Sequence, residues 1–327
     1  NKFEEYDLYG QNKEFLISDG VITFTDTDGK LMALKPDVTL SIVKNSADVL
    51  NGVKRLYYNE NVYRISERTH HYKEIMQTGL ECFGDLGVYN LCEVIGLATK
   101  SLGIISEESV LSVSHLGVIS ALLEGEDQLG HARRDIMKRL EEKNEHELRF
   151  LCEKCGISEE KTRFITSLTK AYGEPKSVVS GLMSMTSDGQ IISALKEFET
   201  VVSACEKTSP VKIRADFSLT GDMAYYNGLI FRGYVRGIPT PVLSGGQYDM
   251  LMKKMGRSEK AIGFAVYPEA LERLEKNRDV LVLYGDGTKT EDIIAKTEEL
   301  TKAGKSVSVR KTVAELLRFR ETVDLSR

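Results

Sequence analysis

The chain has 327 residues, 44 Lys and Arg against 49 Asp and Glu, and a net charge of −5. That length suits one large domain plus a smaller one. The acidic balance argues against a nucleic-acid footprint, which would show a basic excess or a basic stripe, and no apolar run approaches the about 18 residues of a membrane span. The start, Asn1-Lys2-Phe3-Glu4-Glu5, does not read as a signal peptide and carries no Met, so the chain reads as beginning inside a longer protein.

Residues 6–35 read as β-rich. Tyr6 to Gly10 and Val21 to Phe24 are strand-like runs, and Asp28-Gly29 predicts a tight turn before a strand over Leu31–Leu34. Pro36-Asp37 then predicts a helix start at Val38. Leu56–Tyr58 and Val62–Ile65 read as strands, as does Lys73–Phe83, with the charged loop Ser66–Tyr72 making an antiparallel hairpin. A helix is expected over 90–102, a strand over Val110–Val113, and a helix opening at His115-Leu116-Gly117.

From about 126 to 205 the spacing of apolar and charged residues is helical, and the block reads as a helical insertion. Strand character returns over 213–219, 229–236 and 241–243. Asp279–Gly285, Thr290–Ala303 and Ser306–Val309 then form one β-α-β step of a separate α/β unit, which places the domains at 1–276 and 279–327. The predicted class is α+β, an antiparallel sheet flanked by helices; no GxGxxG or GxxxxGK[ST] supports a doubly wound or P-loop reading. Five cysteines, Cys82, Cys92, Cys152, Cys155 and Cys205, fit a reducing cytoplasm. Cys152 and Cys155 form a CxxC with His146 close by but no fourth ligand, so no metal site is expected.

Four segments, in order, resemble histidyl-tRNA synthetases. Leu34-Lys35-Pro36-Asp37-Val38-Thr39 is similar to that family's LRPEGT, and Val62-Tyr63-Arg64 through Gln77-Thr78-Gly79-Leu80-Glu81-Cys82-Phe83-Gly84 resembles the motif 2 hairpin. Tyr225-Tyr226-Asn227-Gly228-Leu229-Ile230-Phe231 resembles the histidine-specific RGLDYYTGxxF. Ser244-Gly245-Gly246-Gln247-Tyr248-Asp249 with Ala261–Ala265 is similar to GGRYD and motif 3. The likeness covers roughly residues 3–310. It implies a class II synthetase-like core and a histidine-shaped pocket.

By that resemblance Asp37, Thr39 and Gln77 would take the ammonium of histidine and Arg64 its carboxylate, a guanidinium–carboxylate match. Glu81 and Tyr226 would take the two imidazole nitrogens, with Tyr225 and Tyr248 shaping the wall. Gln77 and Glu81 are four apart in an extended strand and so share a face. Taken singly, each has a plainer reading: Asp37 a helix N-cap, Tyr225 and Tyr226 sheet aromatics, Gln77 and Glu81 exposed sheet residues, Gly245-Gly246 a turn.

The sequence departs from a synthetase where phosphate chemistry needs cations. Gly221 stands where RGLDYY begins with arginine, with Asp222 beside it; Ala270 stands at the motif 3 arginine, with Arg273 a turn further on; Arg68 or Lys73 would have to serve as the loop cation. Losing one charged transition-state contact commonly costs ~10²–10³ in rate. The family's non-catalytic branch, the regulatory subunits of ATP phosphoribosyltransferase, has such a core, and the Asp37 form of the first motif is typical of it. The resemblance implies no chemistry and no cofactor. The expected partners are the short catalytic subunit and histidine, in a homodimer within a hetero-oligomer, with either the helical block or the strand edges as interface. The C-terminal unit resembles only the beginning of an anticodon-binding domain. A divergent histidyl-tRNA synthetase, and a synthetase-like protein binding another small ligand, stay open.

Overall fold

The computed structural model describes residues 2–11, 20–47, 52–65, 71–125, 129–130, 132–221, 225–271, 278–313 and 319–326. Arg68, Asp222 and Arg273 lie outside the described residues, as does most of the loop predicted after Ile65. The chain divides into two compact units, Asn1–Leu271 and Glu272–Arg327.

The first unit opens with a small antiparallel sheet of β1 (Phe3–Glu5), β2 (Thr23–Thr25) and β3 (Leu31–Leu34), ordered β1-β3-β2. Between β1 and β2 the strand expected over Tyr6–Gly10 is instead a short helix, α1 (Tyr6–Gly10). Leu8 and Tyr9 are adjacent in sequence, yet both are buried in one cluster with Leu40 and Tyr248. A helical turn can bury two neighbours on one side; a strand sends them to opposite faces. The predicted turn before β3 is present: Gly29 sits at φ +80, and the Asp26 carboxylate accepts from the Asp28 and Lys30 amides at 2.9 and 2.8 Å. Helix α2 (Val38–Asn45) begins where Pro36-Asp37 predicts it.

The main sheet has eight strands ordered β4-β5-β11-β10-β9-β6-β8-β7. Strand β4 (Val53–Ile65) runs unbroken through the two pieces expected separately, and pairs antiparallel with β5 (Tyr72–Gly84) along its length. After helix α3 (Val88–Ile105) come β6 (Ser109–His115) and helix α4 (Leu116–Leu122). The other strands are β7 (Tyr172–Gly173), β8 (Lys212–Asp216), β9 (Leu229–Val235), β10 (Leu243–Gln247) and β11 (Lys260–Val266). Short helices α10 (Asp249–Lys254) and α11 (Pro268–Leu271) flank β11.

Two corrections apply to the predicted architecture. The sheet is mixed, because β6 and β8 run parallel. Parallel neighbours need a long crossover, and the helical block between them supplies it. That block holds α5 (Ala132–Glu141), α6 (Glu145–Lys154), α7 (Glu159–Ser167), α8 (Pro175–Met183) and α9 (Gly189–Glu206), but it is not wholly an insertion. The edge strand β7 interrupts it to pair with β8, and α9 packs on α3, α4 and the strands β6 and β8. The block keeps good local starts: Asn144, Ser158, Glu174 and Asp188 each accept a backbone N–H as N-caps.

Helix α3 is long and apolar enough to satisfy the size of a membrane span. Here its apolar face covers the sheet and α9, and Glu93 on its other side pairs with Arg55 at 2.7 Å. Cys152 is buried on α6 and Cys155 caps that helix.

The second unit contains β12 (Arg278–Leu283), α12 (Thr290–Lys302), β13 (Val307–Arg310) and β14 (Phe319–Asp324). The β-α-β step is present as predicted. A third strand, β14, joins the other side of β12, giving the parallel order β13-β12-β14 over a core of Val280, Val282 and Leu300.

Candidate functional site

The strand register builds a cavity from the sheet upward. One row crosses five strands as Tyr58, Gly79, Ala265, Ser244 and Arg232. The next row reads Leu56, Glu81, Gly263, Gly246 and Ile230. In both rows the middle positions, on β11 and β10, are small, while bulky or charged side chains stand at the ends. The result is a trough of about 450 Å³ with a backbone floor. Gly233 faces Leu102 of α3, so alternation turns its neighbour Arg232 to the opposite side of the sheet, into the cavity.

Two glycines in the floor are required by close approach. A Cβ on Gly263 would lie 1.9 Å from Glu81 Oε2, and one on Gly79 would lie 2.4 Å from the Tyr58 hydroxyl. The carboxylate and the phenol occupy space that any other residue would fill.

All eight residues predicted for the pocket line this one cavity: Asp37, Thr39, Arg64, Gln77, Glu81, Tyr225, Tyr226 and Tyr248. Glu81 is its best-held group. The Thr39 hydroxyl donates to Glu81 Oε1 and the Tyr248 hydroxyl to Oε2, each at 2.6 Å. Glu81 is 2 % exposed; burial pushes its carboxyl up to about 7, against the pull of those two donors. Tyr248 and Tyr225 are raised well above their ordinary value, chiefly by burial, and stay neutral.

Asp37 has two roles. Its Oδ1 accepts from the Leu40 amide at 2.9 Å as the N-cap of α2, and its Oδ2 faces Arg64 Nη2 at 4.0 Å. Burial raises its carboxyl, and the Arg64 charge opposes that rise. Arg64 donates through Nε to the Pro36 carbonyl at 3.0 Å, while its Nη2 is buried with no hydrogen-bond partner among the described residues. With only the Asp37 carboxylate near it, beyond hydrogen-bond distance, this guanidinium nitrogen keeps a donor that an anion could accept from.

Gln77 and Glu81 are both buried, so the exposed-face reading does not hold for either. Tyr225 and Tyr226 are not sheet residues; they lie just before β9, with ring centroids 4.6 Å apart, and Tyr225 meets Tyr248 at 5.9 Å. Gly245-Gly246 is no turn but the middle of β10.

Gly221 also lines the cavity, and a Cβ there would meet Ile230 and Tyr226 at 2.9 Å. Ala270 sits on α11 and Lys73 is exposed at the start of β5. Neither is among the residues lining the cavity.

Four further lining residues were not read from the sequence: Tyr58, Arg232, Pro241 and Tyr267. Tyr58 was within reach, because Tyr58, Val62 and Arg64 share one strand parity. Arg232 had no such signal. Its Nη1 pairs with Glu141 and its Nη2 donates to the Thr220 carbonyl at 3.0 Å, so this second arginine of the cavity is already engaged.

Residues 3–271 match the family model described as histidyl-tRNA synthetase. The chain belongs to the histidyl-tRNA synthetase family. Within it, a relative from Oceanobacillus iheyensis named ATP phosphoribosyltransferase regulatory subunit is 25% identical over 95% of this chain and 79% of its own. A crystal structure from Bacillus halodurans, titled an ATP phosphoribosyltransferase regulatory subunit/histidyl-tRNA synthetase, superposes with TM-score 0.70 at 23% identity, covering 100% of this chain and 88% of that one. A chain of the ATP phosphoribosyl transferase complex from Thermotoga maritima gives TM-score 0.62 at 19% identity, over 80% of this chain and 95% of its own. The class II synthetase-like fold expected from the motifs is therefore the fold the chain has.

Proposed function

We propose that this chain is the regulatory subunit of an ATP phosphoribosyltransferase, in histidine biosynthesis, and that its cavity binds free histidine as the feedback signal. One observation carries the reading: the eight residues expected to meet an amino acid line one cavity, while among the described residues Gly221 brings no charge to it and Arg232 is already paired. Asp37 and Gln77 receive the ammonium with the lone pairs of Thr39, whose proton is spent on Glu81. The open Nη2 of Arg64 takes the carboxylate. Glu81, fixed by two hydroxyl donors, accepts an imidazole N–H, and Tyr226 meets the other nitrogen. Gly221 supplies no charge, and Arg232 is neutralised internally by Glu141.

Amino-acid activation needs positive charge on the developing phosphorane and the leaving pyrophosphate; neither Gly221 nor the paired Arg232 supplies it, so the role assigned to the chain is regulatory and not adenylating. It acts by binding the short catalytic subunit, as a cytoplasmic homodimer within a larger assembly, and histidine changes activity by binding the two states of that assembly unequally. The names of its relatives support the partner, and the acidic charge argues against a tRNA.

The experiment is calorimetry of the full chain against the twenty amino acids, paired with ATP–pyrophosphate exchange. Heat for histidine with background exchange is expected. Robust histidine-dependent exchange would make the chain a divergent synthetase, and heat only for another amino acid would reassign the cavity.

A further inference from the structure

Arg232 rises from β9 at the end of the cavity opposite Tyr58. At about 4.8 Å per strand, the four steps from β4 to β9 span roughly 19 Å. Glu81 and Arg64, proposed to hold histidine, stand at the β4–β5 end of that span. What Arg232 does touch is the helical block. Its Nη1 pairs with Glu141 Oε1, its Nη2 donates to the Thr220 carbonyl at 3.0 Å, and the Thr220 hydroxyl donates to Glu141 Oε2 at 3.1 Å. Glu141 is the last residue of α5, and both its oxygens are used.

Two residues later the chain turns through Lys143 at φ +54, whose ammonium lies 3.4 Å from Asp216 at the end of β8. Asp216 in turn accepts from the Ser218 amide at 3.2 Å. The C-terminal end of α5 thus grips residues 216–220 at both ends. Next to Thr220, Gly221 lies against the Tyr226 ring, 2.9 Å from where a Cβ would be, and Tyr226 with Tyr225 forms the aromatic wall of the cavity. That wall is anchored on its far side by Asn227, whose side-chain Oδ1 accepts from the Asp249 amide at 2.8 Å.

We propose that the Glu141–Arg232–Thr220 clasp couples the cavity to the inserted helices, with Arg232 and Glu141 as positioning residues. This rests on reading the cavity as a histidine site. A ligand held by Tyr226 bears on Gly221, which lies against the Tyr226 ring and directly follows Thr220, and the clasp passes that position to α5. A single exposed ion pair would carry little. Here three groups on three elements share one carboxylate and one guanidinium, so moving one strains the others. By linkage, whatever holds α5 changes histidine affinity by the factor with which histidine changes the hold on α5.

The test uses the full chain and its Glu141→Gln and Arg232→Lys variants, read by calorimetry with histidine and by amide hydrogen exchange. In the unaltered chain histidine should slow exchange over 132–141 more than over 175–183, the helix α8 that lies outside the clasp. Glu141→Gln removes the charge and keeps the shape; it should still bind histidine, about fivefold more weakly or more, and lose the extra protection of α5. Arg232→Lys keeps the pair with Glu141 but not the fork to Thr220, and should fall between. Histidine heat without selective protection of α5 in the unaltered chain would overturn the proposal, whatever the variants do. So would wild-type affinity and protection in Glu141→Gln. Absence of any heat in the unaltered chain would instead remove the histidine reading, and the clasp with it.

Discussion

The two ends of the cavity solve the same electrostatic problem differently. At the β4–β5 end charges are loosely met: among the described residues Arg64 Nη2 is buried without a hydrogen bond, the Asp37 carboxylate stands 4.0 Å from it, and the Glu81 carboxyl is pushed up to about 7 by burial. At the β9 end the charge is complete without a ligand, because Glu141 and Thr220 satisfy Arg232. Unmet polar groups in a buried place cost free energy that a ligand can return. The first end is therefore built to receive something, and the second to stay as it is.

The sharpest way to break this contrast is Glu81→Ala. It removes the imidazole acceptor and should weaken histidine by two orders of magnitude or more, about 3 kcal/mol, by calorimetry; unchanged affinity would place the site elsewhere. Gly263→Ala acts on the same carboxylate from beneath. Its Cβ would lie 1.9 Å from Glu81 Oε2, and the displaced side chain should cost about 1–3 kcal/mol of stability, seen as a lower denaturation midpoint together with weaker histidine binding. A midpoint equal to that of the unaltered chain would mean the floor is not close-packed there.

A smaller effect comes from pH. The Glu81 carboxyl is raised from 4.5 to about 7 in the folded state, so between those values the folded chain binds more protons than the unfolded one. Unliganded stability should then fall as pH rises from 4.5 to 7 and level off above. Asp37, also raised by burial, adds a term of the same sign. Melting curves against pH for Glu81→Gln should fall less steeply over that window; identical slopes would show that Glu81 ionises as freely folded as unfolded. The smallest expected effect is at Gly221. Gly221→Arg should leave ATP–pyrophosphate exchange at background, because Ile230 and Tyr226 already stand 2.9 Å from where its Cβ would be.

Much of the receiving end was legible along the chain. Pro36-Asp37 marks the start of α2, and the alternation in β5 puts Gln77 and Glu81 on one face, as their shared burial bears out. These are local signals, set by backbone periodicity and capping chemistry within a few residues. Short elements were less legible: α1 was read as a strand because five residues do not distinguish the two periods, and β7 pairs for only two residues. The closed end was not legible at all. Arg232 looked like any charged residue in a strand, and its partner Glu141 like any helix surface residue.

By itself the sequence determined the α+β class and the hairpin through local pattern, and the resemblance of its ordered motifs implied the eight residues that meet in the cavity. Only the tertiary structure decided the mixed sheet, the place of α9 in the core and the trough of small residues, because register across five strands brings Gly79, Ala265, Ser244 and Arg232 into one row. It alone decided which arginine stays open and which is closed, because a charge is available or neutralised according to what folds beside it. For Arg232 that neighbour is the end of a helix 91 residues away in the chain.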